Sequence, residues 1–209
     1  KKGIRITGFD IEEAAINQAC FEGVIDSGYN LKDLKDYSSP NILSDIKKAD
    51  VIFLCVNIES CKEIVLEIAP YISEKTIITD VCSTKADLYR LFDSLAYPLN
   101  YIGGHPMAGS EKSGYSASHS YLFENSIYIL CPHPRVPNHM VKDFEGLVKA
   151  IGAIPYYQDP VEHDVAMARI SHFPHVIASA LVKTARLKET QDGALRILAA
   201  GGFKDITRI

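Results

Sequence analysis

The chain has 209 residues, 47% of them hydrophobic and 23% charged, with a formal net charge of −4. That composition suits a soluble globular protein of one large domain, or of one domain and part of another. Lysines and arginines are dispersed, no apolar run reaches the ~18 residues that span a bilayer, and the N-terminus is no signal peptide, so neither a nucleic-acid partner nor a membrane is expected.

The first element is a strand over Ile4–Phe9, ended by Asp10, and the spacing of Ala14, Ala15, Ala19 and Phe21 predicts a helix over 11–22. Val51-Ile52-Phe53-Leu54-Cys55-Val56 is a continuous apolar run, the mark of a strand buried on both faces. A helix over about 60–69, a strand over 76–81 and a helix over about 84–95 come next. Strands at 100–103 and 126–131, a helix around 138–151 and a strand at 154–158 complete the series. Strand–helix alternation of this kind argues for a parallel, doubly wound α/β sheet.

The pattern changes at Asp159-Pro160. From Val161 to about Lys188 the chain has helical periodicity, interrupted at Phe173-Pro174, where Pro174 lacks a backbone donor and predicts a kink or break. A short helix over 192–199 leads into Gly201-Gly202-Phe203. The expected division is an α/β domain over 1–159 and an all-helical one over 160–209. Both ends are expected to be cut, because the chain opens almost on a strand and stops inside a polar motif at Thr207-Arg208-Ile209. So few helices leave apolar faces for more chain or a partner subunit to cover.

The five cysteines, Cys20, Cys55, Cys61, Cys82 and Cys131, are odd in number and lack metal-type spacing. Cys55 and Cys131 sit in apolar runs and are read as reduced core thiols of a cytoplasmic protein with no metal site. The densest chemistry lies in Gly103-Gly104-His105-Pro106, running on to Gly114. The glycines permit a sharp turn and close approach to a ligand, so His105 is either a cleft-facing proton acceptor or a turn histidine bonded to backbone. Asp10 ends a strand before a helix: it is a ribose ligand of a dinucleotide fold or a cap of that helix. Ser83 follows the 76–81 strand and is a donor to a cofactor amide or to the imidazole, or an N-cap. Val56-Asn57 ends a strand on the same expected edge, where open α/β sheets bind ligands. His172 and His175, three apart, would share a face of a regular helix, as a metal pair or as hydrogen-bonded core residues. Arg208 offers a planar fork suited to a carboxylate, or is simply exposed.

Five motifs in order resemble those of the prephenate and arogenate dehydrogenase family: Asp80–Lys85, Gly103–Gly114, His163-Asp164, Ser171–His175 and Gly201–Arg208. The N-terminal part looks like that family's Rossmann domain entered at its second strand, with the first strand and glycine-rich loop missing. The resemblance implies NAD-dependent oxidative decarboxylation of prephenate to 4-hydroxyphenylpyruvate in tyrosine biosynthesis. It also implies an NAD-binding domain, a helical dimerisation domain and a homodimer, with the active site between the two domains. It makes His105 the base on the ring hydroxyl and Ser83 the group that orients it and contacts the nicotinamide. It gives Arg208 the ring carboxylate, His175 the pyruvyl chain, Gly201 and Glu111 the lining of the substrate site, and Asp10, Val56 and Asn57 the cofactor. Arogenate as substrate, another β-hydroxyacid-type dehydrogenase and an inactive cofactor-sensing module are the alternatives. Lacking a glycine-rich loop, this segment alone is expected to be inactive.

Overall fold

The computed structural model describes residues 3–31, 37, 39–109, 112–188 and 193–208. Two compact units divide the chain, Lys1–Pro160 and Val161–Ile209.

In the first unit, β1 (Thr7–Asp10) and β2 (Ser27–Asn30) are connected by α1 (Glu13–Phe21) and form a parallel pair of their own. A second sheet holds β3 (Val51–Leu54), β4 (Ile77–Asp80), β5 (Asn100–Pro106), β6 (Ile127–Pro132) and β7 (Ile154–Tyr157) in sequence order. Its pairings are parallel except between β5 and β6, which run antiparallel. Among the described residues no strand joins β1 to β3. The intervening helices are α2 (Pro40–Lys48), α3 (Ile58–Ile68), α4 (Ala86–Ser94) and α5 (Asn138–Ala150). The β2 strand and α2 had no sequence assignment; β2 contains Gly28 and no β-branched residue, and α2 starts on Ser39-Pro40, a serine N-cap with proline in the first turn.

The pleat places successive strand residues on opposite faces. Ile78 of β4 and Tyr101 of β5 pack into one core with Val65 of α3 and Leu88 and Phe92 of α4. Their neighbours Ile77 and Ile102 pack into another with Tyr128, Leu130 and the α5 residues Phe144 and Val148. The central strands therefore lie between two helical layers, the doubly wound α/β arrangement. Cys131 is buried as expected, but Cys55 is exposed, because β3 ends at Leu54 and the chain has already left the sheet.

The second unit contains the rest of α6 (Pro160–Met167), a π-helical turn over Ala168–His172, α7 (Phe173–Arg186), α8 (Ala194–Leu198) and α9 (Gly201–Thr207). Pro174 does not break the helix. It sits in the first turn of α7, where a missing N–H is tolerated, and the wide π turn before it absorbs the irregularity. The helix running through Pro160–Arg186 holds no unbroken apolar run of membrane-spanning length, but one 18-residue window of it is apolar enough on average, by length and composition alone, to cross a membrane. Arg169, His172 and His175 interrupt this stretch, and charged residues flank it at Glu162, Asp164, Lys183 and Arg186.

Candidate functional site

The strands β3, β4 and β5 run parallel, so their carboxyl ends meet one edge of the sheet. Val56 and Asn57 follow β3. The Asn57 side chain caps α3, accepting from the Ser60 amide at 3.0 Å, and Val56 is exposed. The Val56 carbonyl accepts from the thiols of Cys61 and Cys82, each at 3.5 Å, and the two sulfurs lie 3.7 Å apart. Their mutual hydrogen bond is the main influence on both thiols, pulling Cys61 below its ordinary value and pushing Cys82 above it.

Ser83 lies just beyond β4 and is exposed. It is not the N-cap of the following helix: α4 begins at Ala86 with Lys85 in the capping position. His105 is half-buried within β5, opposite Ile129 of β6. No sharp turn forms at Gly103-Gly104, which continue the strand to Pro106. Close approach explains Gly104 instead. A Cβ there would stand 2.5 Å from the Asp80 carbonyl oxygen, 2.9 Å from Thr79 Oγ1 and 3.0 Å from Tyr128 Cε1.

A group that the sequence motif contained but did not explain lies behind these residues. Asp80 and Lys85 form a fully buried ion pair. Asp80 Oδ1 accepts from the Tyr101 hydroxyl at 2.8 Å and from the Gly104 amide at 3.2 Å. Its Oδ2 accepts from the Cys82 amide at 3.0 Å and from Lys85 Nζ. Lys85 Nζ also donates to the Gly104 carbonyl at 2.6 Å. Burial, reinforced by the Asp80 charge, holds the Tyr101 phenol well above its ordinary value, so it remains a donor. A carboxylate offers about four acceptor sites, and each here has a partner. The signal in the sequence was a charged pair five residues apart bracketing a strand end; nothing local says that both are buried.

Asp10 ends β1 and is exposed, its Oδ1 accepting from the Glu12 amide at 2.8 Å. This turn precedes α1, whose N-cap is Glu12. Asn30 at the end of β2 donates to the Asp10 carbonyl at 3.1 Å. Glu111 lies outside the described residues.

In the helical unit, a cleft of about 310 Å³ between α7 and α9 is lined by His175, Ser179, Lys183, Arg186 and Thr207, among others. Arg208 follows Thr207 and is exposed at the C-terminal cap of α9. Gly201 opens α9 and is exposed. His172 falls in the π turn and His175 in α7, so the two do not share a regular helical face. His163 is fully buried, with Nδ1 2.8 Å from Asp164 Oδ1. Lys183 and Arg186 were not singled out from sequence; alone, each is an ordinary basic residue in a last helical turn.

Two family descriptions match this chain. "Prephenate dehydrogenase, nucleotide-binding domain" covers residues 1–157, and "Prephenate dehydrogenase, dimerization domain" covers 159–209. Prephenate dehydrogenase of Bacillus subtilis is 36% identical over 99% of this chain and 54% of its own length. That of Lactococcus lactis is 36% identical over 98% of this chain and 53% of its own. The chain thus spans about half the length of these curated relatives. Among solved structures, prephenate dehydrogenase of Aquifex aeolicus in complex with hydroxyphenyl propionate and NAD+ superimposes with a TM-score of 0.82 at 31% identity, over 98% of this chain and 68% of that one. Arogenate dehydrogenase of Synechocystis gives a TM-score of 0.76 at 26% identity, over 99% and 70%.

Proposed function

This chain belongs to the prephenate dehydrogenase family, and on that footing we propose that it carries out NAD-dependent oxidative decarboxylation of prephenate to 4-hydroxyphenylpyruvate. The observation that carries this reading is His105 at the carboxyl edge of the sheet, one residue past a glycine held on both sides by a buried ion pair. The edge suits a dinucleotide: Val56 and Ser83 are exposed there, and the exposed Asp10 carboxylate has one oxygen without a partner among the described residues. Asp10 would bond the adenosine ribose, with Val56, Asn57 and Ser83 along the remainder.

Bound NAD+ supplies the hydride acceptor. An imidazole nitrogen of His105 takes the proton of the ring hydroxyl as hydride departs from the carbon that bears it, relieving the positive charge that develops there. Such a base contributes ~10²–10⁴-fold. The bond to the ring carboxylate then breaks, carbon dioxide leaves, the bond's electron pair completes the aromatic ring, and the protonated His105 returns its proton to the ring oxygen. Ser83 orients the imidazole. Arg208 binds the ring carboxylate through its planar fork, and His175 meets the pyruvyl chain with Lys183 and Arg186 in the same cleft. Gly201 completes the lining on the helical side.

The protein is read as a homodimer through its helical unit, which matches the dimerization description and exposes Ile170, Phe173 and Val176. The cysteines are free thiols, which fits a cytoplasmic enzyme. The deciding experiment compares wild type with His105→Ala in the full-length protein, following NADH formation with prephenate and, separately, arogenate. The substitution is expected to cut turnover at least ~10²-fold with NAD+ affinity nearly intact. Undiminished turnover would remove His105 from this role, and faster turnover of arogenate would reassign the substrate.

A further inference from the structure

We propose that Asp80 and Lys85 are positioning residues that hold His105 and Ser83 in working register, a role that rests on the assignment of His105 as base. The parallel ladder between β4 and β5 ends at Thr79 opposite Ile102. The paired register between β4 and β5 goes no further among the described residues, and His105 lies three residues on. Side chains from the β4 end hold the β5 backbone there. The Gly104 amide donates to Asp80 Oδ1 at 3.2 Å, and the Gly104 carbonyl accepts from Lys85 Nζ at 2.6 Å. That carbonyl belongs to the peptide unit entering His105, so Lys85 fixes the plane from which the imidazole projects.

The same carboxylate reaches the other side of the site. Asp80 Oδ2 accepts from the Cys82 amide at 3.0 Å, and Cys82 immediately precedes Ser83. One buried carboxylate therefore holds the residue before Ser83 with one oxygen and the residue before His105 with the other. Packing adds rigidity, since the Asp80 carbonyl abuts Gly104 so closely that no side chain fits between them. Buried ion pairs are often replaceable by apolar residues without loss of stability, because desolvation offsets their attraction. The return on keeping this one is orientation: a misplacement of about 1 Å at a reacting group can cost ~10²-fold in rate.

The test uses Lys85→Met, the neutral double variant Asp80→Asn/Lys85→Met, and Tyr101→Phe, which removes a single donor to Asp80. Val148→Ala, a cavity in the α5 core, is the control for general destabilisation. Two readouts are taken on the full-length protein: steady-state kcat and KM with prephenate across pH, and titration of the His105 imidazole by NMR, its signal assigned by its loss in His105→Asn. We expect kcat to fall ~10- to 100-fold for the Lys85 variants and several-fold for Tyr101→Phe, with KM within threefold and the His105 titration displaced. Val148→Ala should leave that titration in place. Folded Lys85 variants with kcat within threefold of wild type and an unmoved His105 signal would overturn the proposal. If Lys85→Met does not fold, the double variant and Tyr101→Phe decide by the same criteria. The NMR titration does not depend on turnover, so a wild-type protein inert toward prephenate would refute the functional reading and leave the positioning question to that measurement.

Discussion

Replacing Gly104 by alanine adds one methyl group at the tightest point of the sheet edge. The new Cβ would meet the Asp80 carbonyl oxygen at 2.5 Å, where ordinary contact begins near 3.4 Å. Relief therefore requires a shift of about 1 Å, and the nearest atom is backbone, which cannot swing aside. Overpacking of this kind costs about 1–3 kcal/mol, and a displacement of that size beside a reacting group costs ~10²-fold in rate. Gly103→Ala is the internal comparison. Its Cβ would lie 3.1 Å from Lys85 Cδ and 3.2 Å from the Tyr101 hydroxyl, both longer contacts and neither with backbone. Denaturant midpoints and kcat with prephenate should rank wild type, Gly103→Ala and then Gly104→Ala. A Gly104→Ala protein as stable and as active as Gly103→Ala would refute the argument from close approach.

Arg208→Ala should raise KM for prephenate about 10- to 100-fold, the range for losing a hydrogen bond to a charged group, and an unchanged KM would count against a carboxylate there. Val176→Asp places a charge on an exposed apolar position of α7. It should weaken self-association at least tenfold by analytical ultracentrifugation, since about 1.4 kcal/mol suffices for that; an unaltered dimer would move the interface elsewhere. Glu145 accepts from Lys142, Lys149 and Tyr157, at 2.7, 2.6 and 2.6 Å, and is held down at about 2 from an ordinary 4.5, chiefly by Lys142. A carboxylate depressed on folding stabilises above its unfolded value and loses that contribution as pH falls through the folded one. Thermal midpoints of Glu145→Gln should thus converge on those of wild type between pH 4.5 and 2, and parallel curves there would contradict the assignment.

The alternation of apolar strands and amphipathic helices was legible because burial on two faces leaves a continuous run, as at Tyr128–Cys131, and burial on one leaves a helical period, as in α5. The apolar run at Val51–Leu54 does form a strand, but Phe53 is exposed, so it is not buried on both faces as expected. The residues proposed for the chemistry were picked out as motifs, because His105, Ser83 and Arg208 sit among residues of unusual type and order. Local spacing could not reveal that β6 runs antiparallel to β5, since a six-residue apolar strand reads alike in either direction. Nor could it distinguish a turn at Gly103-Gly104 from a strand. Glycine permits both, and the choice rests on β6 pairing alongside and the Asp80 carbonyl pressing from β4. The same holds for Asp80 and Lys85. In sequence they are two charges five residues apart; tertiary structure buries both, and burial obliges each to find every partner it can. Those partners are the backbone groups next to Ser83 and His105. The residues proposed for the chemistry stand out in the chain itself, whereas their common alignment depends on which strand ends meet and on the cost of leaving a buried charge unpaired.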